Sequence, residues 1–235
     1  LSLSLLGLPS IEGSTINPDQ DMVINATTVV NPGQPIEIAF QSGSFPESTY
    51  SGATDTKLLS DAPSTTFGSA TSLEMDGYPS YKGLLGWDIS EIPTTATLVS
   101  AQITVDVTNV SGNEYGLFEM NRPWSEQEAN WQMASSGASW TTPGASDSTD
   151  RNTLLLGSLT PNVLGTDTMI LNAAGLRTIQ NWISNPDLNY GFVIENASGG
   201  DDGLDISSRE VAEVSKRPKL TLVYVLENSP ISNSA

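Results

Sequence analysis

The sequence predicts an all-β protein, a jelly-roll-like β-sandwich with one short helix and an N-terminal strand-bearing extension. Three observations carry this. Short apolar runs recur at regular spacing between Gly, Pro, Asn and Ser clusters, the pattern of a many-stranded sandwich. Within the strongest run, Ile103, Val105 and Val107 alternate onto one face, the period of a half-buried strand. The remaining polar text is mostly Ser, Thr, Asn and Gly, which suits turns and exposed strand faces better than helix interiors.

The elements follow in chain order. Leu1-Ser2-Leu3-Ser4-Leu5 alternates, and Leu6-Gly7-Leu8 leads to Pro9, so residues 1–8 read as a strand with its leucines on one face. Met22 to Val30 and Ile36 to Phe40 are strand-like and separated by Asn31-Pro32-Gly33, a turn signal. Residues 1–50 form the expected extension, 51–228 the sandwich, and 229–235 a C-terminal tail. Inside the sandwich, strands are expected over Gly83 to Ile89, Leu98 to Val107, Tyr115 to Met120, Thr153 to Leu159 and Thr168 to Leu171. Ala134 to Asp150 reads as a long polar loop, of a length that goes with binding. Asn172 is an N-cap residue, and Leu176, Ile179 and Ile183 recur at helical spacing with Trp182 beside them; Asn185-Pro186 ends that helix. Gly191 to Glu195 and Lys219 to Leu226 complete the strands.

Composition excludes several chemistries. With 27 acidic residues against 9 basic ones, the net charge is −18, which repels nucleic-acid backbones and anionic lipid. Neither His nor Cys occurs, so His-based triads, His-ligated metals, disulfides and thiolate nucleophiles are absent. Carboxylate pairs for glycoside hydrolysis arise by chance among so many acids, and no motif singles one out. The expectation is a protein that is not an enzyme. No apolar run approaches the length needed to span a bilayer. The chain opens at Leu1 without Met, in keeping with an extracellular or cell-surface location after signal-peptide removal.

Two sets of residues are candidates for binding. Trp87, Trp124, Trp131 and Trp140 could stack on sugar rings, but Trp87 sits in an apolar strand. Trp140, in the polar loop, is therefore the best exposed candidate, with Tyr78 and Tyr81 next. Asp201-Asp202-Gly203-Leu204-Asp205 places carboxylates around a Gly turn, a calcium-loop candidate in which Asp201, Asp202 and Asp205 would be ligands. Asn25-Ala26-Thr27, Asn109-Val110-Ser111 and Asn196-Ala197-Ser198 are glycosylation triplets.

Several pieces in order resemble the DNRLRE domain family, carbohydrate-binding-module-like sandwiches related to disaggregatase repeats. They are Thr66 to Leu73, Gly83-Leu84-Leu85-Gly86-Trp87-Asp88-Ile89-Ser90, Val99 to Ile103, Trp124-Ser125-Glu126 with Ala129-Asn130-Trp131, and Trp140 to Ala145. Trp182, Asn189-Tyr190-Gly191-Phe192, Ser207-Ser208-Arg209-Glu210 and Arg217-Pro218-Lys219-Leu220 follow. The resemblance covers residues 55–226 and implies a β-sandwich, an extracellular setting and a non-catalytic role. Leu84-Leu85-Gly86 stands where such domains usually carry an Arg.

The expected function is a self-assembling filament or surface-layer subunit. Leu1, Leu3, Leu5, Leu6 and Leu8 would add as a donor strand to a sheet edge of the next copy. The alternative is a carbohydrate-binding module for extracellular polysaccharide, calcium-assisted where the glycan is acidic. The expected partners are copies of the chain itself and polysaccharide.

Overall fold

The computed structural model describes residues 33–226. The leucines of residues 1–8, the expected strand from Met22 to Val30 and the tail from 229 lie outside those residues. In chain order the strands are β1 (Ile36–Phe40), β2 (Ala53–Leu59), β3 (Ser72–Met75), β4 (Tyr81–Trp87), β5 (Ala96–Asn109), β6 (Tyr115–Glu119), β7 (Met133–Ser135) and β8 (Ala138–Ser139). After them come β9 (Gly157–Leu159), β10 (Gly165–Ile170), helix α1 (Ala173–Ser184), β11 (Phe192–Asn196), β12 (Leu204–Ser207) and β13 (Lys219–Leu226). The described residues form an all-β sandwich of antiparallel sheets with one short α-helix.

The first sheet is organised by β5, whose 14 residues extend for about 46 Å at strand rise. That length serves two partners end to end on one flank. Thr104 pairs with both Thr168 of β10 and Lys219 of β13. Val107 pairs with both Gly165 of β10 and Ile206 of β12. Strands β12 and β13 therefore share one side of β5 and β10 takes the other. Outside them, β3 pairs with β12 and β1 pairs with β13. The second sheet runs β2-β4-β11-β6-β9.

Between the sheets lies the main core. Ile103, Val105 and Val107 point into it as their alternation predicts, against Leu85, Leu117, Phe192 and Ile194. Helix α1 joins this core along Ile179, Trp182 and Ile183. Its N-cap is the expected one: the Asn172 side chain accepts from the N–H of Ala174 (2.8 Å) and of Gly175 (3.1 Å), satisfying two donors that the first turn leaves open. The Trp182 ring lies 4.7 Å from that of Phe192, and its Nε1 donates to Glu119 at 3.1 Å.

The second sheet is buried on both faces. Leu58, Leu84 and Val193, on its outer side, pack with Met120, Ala129, Ala134, Trp140 and Ala145 in a second core. Residues 120–150 are thus a cover for the sheet, with the β7–β8 hairpin inside it, and the expected free loop from Ala134 to Asp150 is corrected accordingly. Double burial explains why β4 reads almost continuously apolar, as strands covered on both sides do. Charges trapped beneath the cover are paired: Lys82 with Glu195 at 2.8 Å, Arg151 with Glu195 at 2.5 Å, and Arg122 with Asp150 at 3.2 Å. Burial pushes the Lys82 ammonium below its usual pKa, against the attraction of Glu195.

The strand from Ile36 to Phe40, which the sequence placed in the extension of residues 1–50, pairs with β13 as β1. β1 completes the first sheet, and Phe40 is fully buried with its ring 5.7 Å from that of Tyr50. Just past β1, Gln41 and Ser42 are tied to Arg217, two residues before β13, by contacts of 2.8 and 3.0 Å.

Candidate functional site

At one end of the second sheet, on the outer side, an open cleft of about 300 Å³ is lined by four separate stretches of chain. Gly52 and Thr54 come from the start of β2, and Gly86, Trp87 and Asp88 from the end of β4. Pro123 and Trp124 come from the cover, and Pro186 with Asn189, Tyr190 and Gly191 from the segment between α1 and β11.

Glycines keep its floor low. A Cβ on Gly86 would meet the Thr54 hydroxyl at 2.7 Å and the Trp124 ring at 3.6 Å. Gly191 has φ +77°, and a Cβ there would lie 2.4 Å from the Leu85 carbonyl, so only glycine fits. The walls are held in place. Trp124 Nε1 donates to the Tyr190 carbonyl at 2.8 Å, which fixes the indole against the Tyr190 segment. Asn189 Nδ2 donates to the Trp87 carbonyl (2.8 Å) while its Oδ1 accepts from Gly191 N–H (3.2 Å).

One polar side chain at the cleft has capacity left. The Asp88 carboxylate, exposed, accepts from Ser90 N–H through Oδ1 at 2.9 Å, and Oδ2 carries no hydrogen bond from the described residues. Trp87, 4% exposed, turns its indole into the main core against Phe192, with its Nε1–H buried there and without a partner among the described residues. The surface of the cleft is more polar than apolar, and it sets one indole among polar groups drawn from four stretches of chain.

The residues expected to bind sugar are elsewhere. Trp140 is 4% exposed, fills the second core, and donates from Nε1 to the Asn130 carbonyl at 2.8 Å. It is a packing residue and its expected role as an exposed ring is corrected. Tyr78, 83% exposed, stands at the β3–β4 turn away from the cleft. Tyr81 donates its hydroxyl to Asp61 at 2.5 Å, and that bond raises its pKa to about 12. Trp124 and Tyr190 belonged to the family-like pieces of the sequence, but nothing local to either showed that they share a cleft.

The expected calcium loop is not assembled either. The Asp202 carboxylate accepts from Gly112 N–H at 2.7 Å, and its carbonyl accepts from the hydroxyls of Ser111 (2.5 Å) and Tyr115 (2.7 Å). It serves as an anchor for the 111–115 segment. Asp205 lies on β12, where burial and then Glu74 push its carboxyl upward. Among the described residues, the acids that approach one another are Asp55, Glu126 and Glu210, with oxygens within 4.8 Å.

Arg209 already neutralises that triad. Its Nε and Nη2 donate to the two Glu126 oxygens at 2.5 Å, and Nε lies 3.1 Å from Glu210. Its backbone N–H donates to Asp55 Oδ2 at 2.7 Å. Gly68 lets the strand-free 66–70 segment close over Glu126, since a Cβ there would sit 2.2 Å from the Glu126 carbonyl. Burial, and beyond it the charges of Glu210 and Glu126, hold the Asp55 carboxyl well above its ordinary pKa, against the pull of the Arg209 N–H. With its charged form already disfavoured by burial and by Glu210 and Glu126, Asp55 is a poor cation ligand, and the guanidinium supplies the charge that a metal would.

A raised folded pKa stabilises the protein fully below the unfolded value of 3.8 and loses that contribution as pH rises through the folded value. Asp55→Asn, which keeps the acceptor for Arg209 N–H, is therefore expected to be more stable than the parent at neutral pH, with the advantage vanishing in acid. Urea unfolding midpoints across pH test this; parallel curves for parent and variant would refute it.

Compared with protein-family models and with curated proteins, the chain matches none.

Proposed function

We propose that this chain is a non-catalytic glycan-binding module whose site is the cleft between Trp124 and Tyr190. The observation that carries the reading is that cleft, in which the Trp124 indole, held by the Tyr190 carbonyl, stands beside Gly52, Gly86 and Gly191. A cyclic ligand with apolar C–H faces and hydroxyl edges suits it, because an aromatic ring covers a face while the Asp88 carboxylate meets the edge. Among the described residues Asp88 is the one acidic residue lining the cleft, whereas glycoside hydrolysis uses a pair of carboxyl groups. The family-like pieces named above lend support from the sequence, as does the extracellular setting that they imply.

Native affinity gels cast with soluble polysaccharides test the reading. The parent is expected to be retarded. Trp124→Ala is expected to weaken retention about tenfold, the scale of a lost ring–ring stacking contact with its buried area. Tyr78→Ala, exposed and outside the cleft, serves as the matched control. Because Trp124 also packs on the second core, thermal melts confirm that the variant is folded. Equal retention of Trp124→Ala and parent would dismiss the cleft as the site.

One observation favours a second reading, assembly of copies by strand addition through Leu1, Leu3 and Leu5. Among the described residues β10 pairs only with β5, and Ile170, Val163 and Leu164 on or beside it are 71%, 68% and 64% exposed. An unpaired edge with apolar side chains is a template for another strand. In this reading the parent forms filaments under negative stain and Leu3→Asp/Leu5→Asp does not; dispersed particles for both remove its basis.

A further inference from the structure

We infer that the cleft takes a neutral pyranose chain, with Asp88 as the residue that selects against acidic sugars; the inference rests on the glycan-binding reading above. Among the described residues, every one lining the cleft is neutral except Asp88, and none is basic. Arg122, beside Pro123 in sequence, is spent elsewhere: its Nη1 donates to the Ser139 carbonyl at 2.9 Å and to Asp150 at 3.2 Å. Uronates and sulfated sugars are ordinarily met by Arg or Lys forks, and this cleft offers none. The chain as a whole, at −18, adds a field of the same unfavourable sign.

The same carboxylate suits a neutral sugar. Asp88 is oriented by its bond from Ser90 N–H and by the turn around it, where its own N–H donates to the Gly52 carbonyl at 2.8 Å and its carbonyl accepts from the Tyr50 hydroxyl at 3.0 Å. Its Oδ2 is left to accept from a hydroxyl of the ligand, a charge-assisted bond stronger than a neutral one. At about 300 Å³ the cleft lies at the small end of ligand sites, so it holds a short stretch of a chain. This reading removes the need for calcium to bridge two anions.

A glycan array at about 0.15 M salt, where the charge of the whole chain is screened beyond roughly 8 Å, distinguishes the possibilities. It carries neutral oligosaccharides (gluco-, manno- and xylo-series) and uronate oligosaccharides, each probed with calcium and with chelator. Binding is expected on neutral chains, unchanged by chelator. Uronate chains are expected to bind at least about fivefold more weakly, the effect of one like charge at 4 Å in water. Asp88→Asn keeps the turn, because its amide oxygen still accepts from Ser90 N–H. It is expected to weaken neutral binding roughly tenfold and to narrow the gap between the two classes.

Stronger binding to uronates than to neutral chains, with or without calcium, overturns the inference and leaves the glycan reading standing. Unchanged selectivity in Asp88→Asn overturns the role of Asp88. No binding to any chain, by parent protein that melts as a folded domain, overturns both inference and reading.

Discussion

Replacing Trp182 with alanine is expected to lower stability by about 3–5 kcal/mol, the range for deleting a large buried aromatic. The side chain is 2% exposed, lies against Phe192, and joins α1 to both sheets through the main core. Its removal opens a cavity that the close-packed strands cannot collapse into, and it leaves Glu119 without its indole donor. A domain of this size should melt roughly 10 °C lower or more. Trp182→Phe separates the two effects, since it keeps a ring on Phe192 and loses only the N–H and part of the volume. About 1–2 kcal/mol is expected for it. If Trp182→Ala unfolds with the parent midpoint in urea, α1 is not part of the cooperative core.

Arg209→Met should be nearly as damaging, at about 2–4 kcal/mol near neutral pH. Removing one partner of a largely buried ion pair leaves an uncompensated charge. Here the guanidinium side chain is 24% exposed, which reduces the figure, but the Glu126 and Glu210 side chains are only 11% and 19% exposed. Without Arg209 these two acids and Asp55 face one another within 4.8 Å. Like charges so close favour protonation. The loss should therefore be greatest near pH 7 and shrink on acidification towards the ordinary carboxylate range near pH 4. Methionine keeps the apolar stem, so packing changes little. An equal loss at both pH values would mean that the stem, and not the charge, stabilises this corner.

That corner also shows why part of the fold was not legible beforehand. β13 was read from Lys219 to Leu226 with the bounds it has in the structure, because eight residues with period-two apolar positions identify themselves. The N-cap at Asn172 was legible for the same reason: a cap and its helix lie within a few residues of each other. By contrast, β2 passes through Thr54-Asp55-Thr56-Lys57, which has the composition of an exposed loop. Asp55 and Lys57 are 2% and 5% exposed, and they are tolerated between the sheets because Arg209 N–H and Glu74 meet them there. Those partners lie far along the chain, Glu74 on β3 and Arg209 in the turn after β12, so no window of sequence reveals them. β12 was hidden similarly: its Asp205 belonged to acidic text that reads as a cation loop, while Leu204 and Ile206 are 1% exposed and hold it in the first sheet.

Placement of the aromatic residues follows the same division. The sequence by itself determined the class of the protein: all-β with one helix, free of His and Cys, strongly acidic. Alternation, capping and composition are properties of short windows or of the whole, and need no knowledge of contacts. Only the tertiary structure decided that Trp140 is enclosed in a second core, that residues 120–150 cover a sheet, and that Trp124 and Tyr190 form two sides of one cleft. Each depends on stretches of chain more than 30 residues apart, as with the 66 positions between Trp124 and Tyr190. Whether a side chain packs or binds is set by what the fold brings against it. An indole is equally suited to either, so its identity in the sequence leaves the choice open and the sheet that covers it, or fails to, makes that choice.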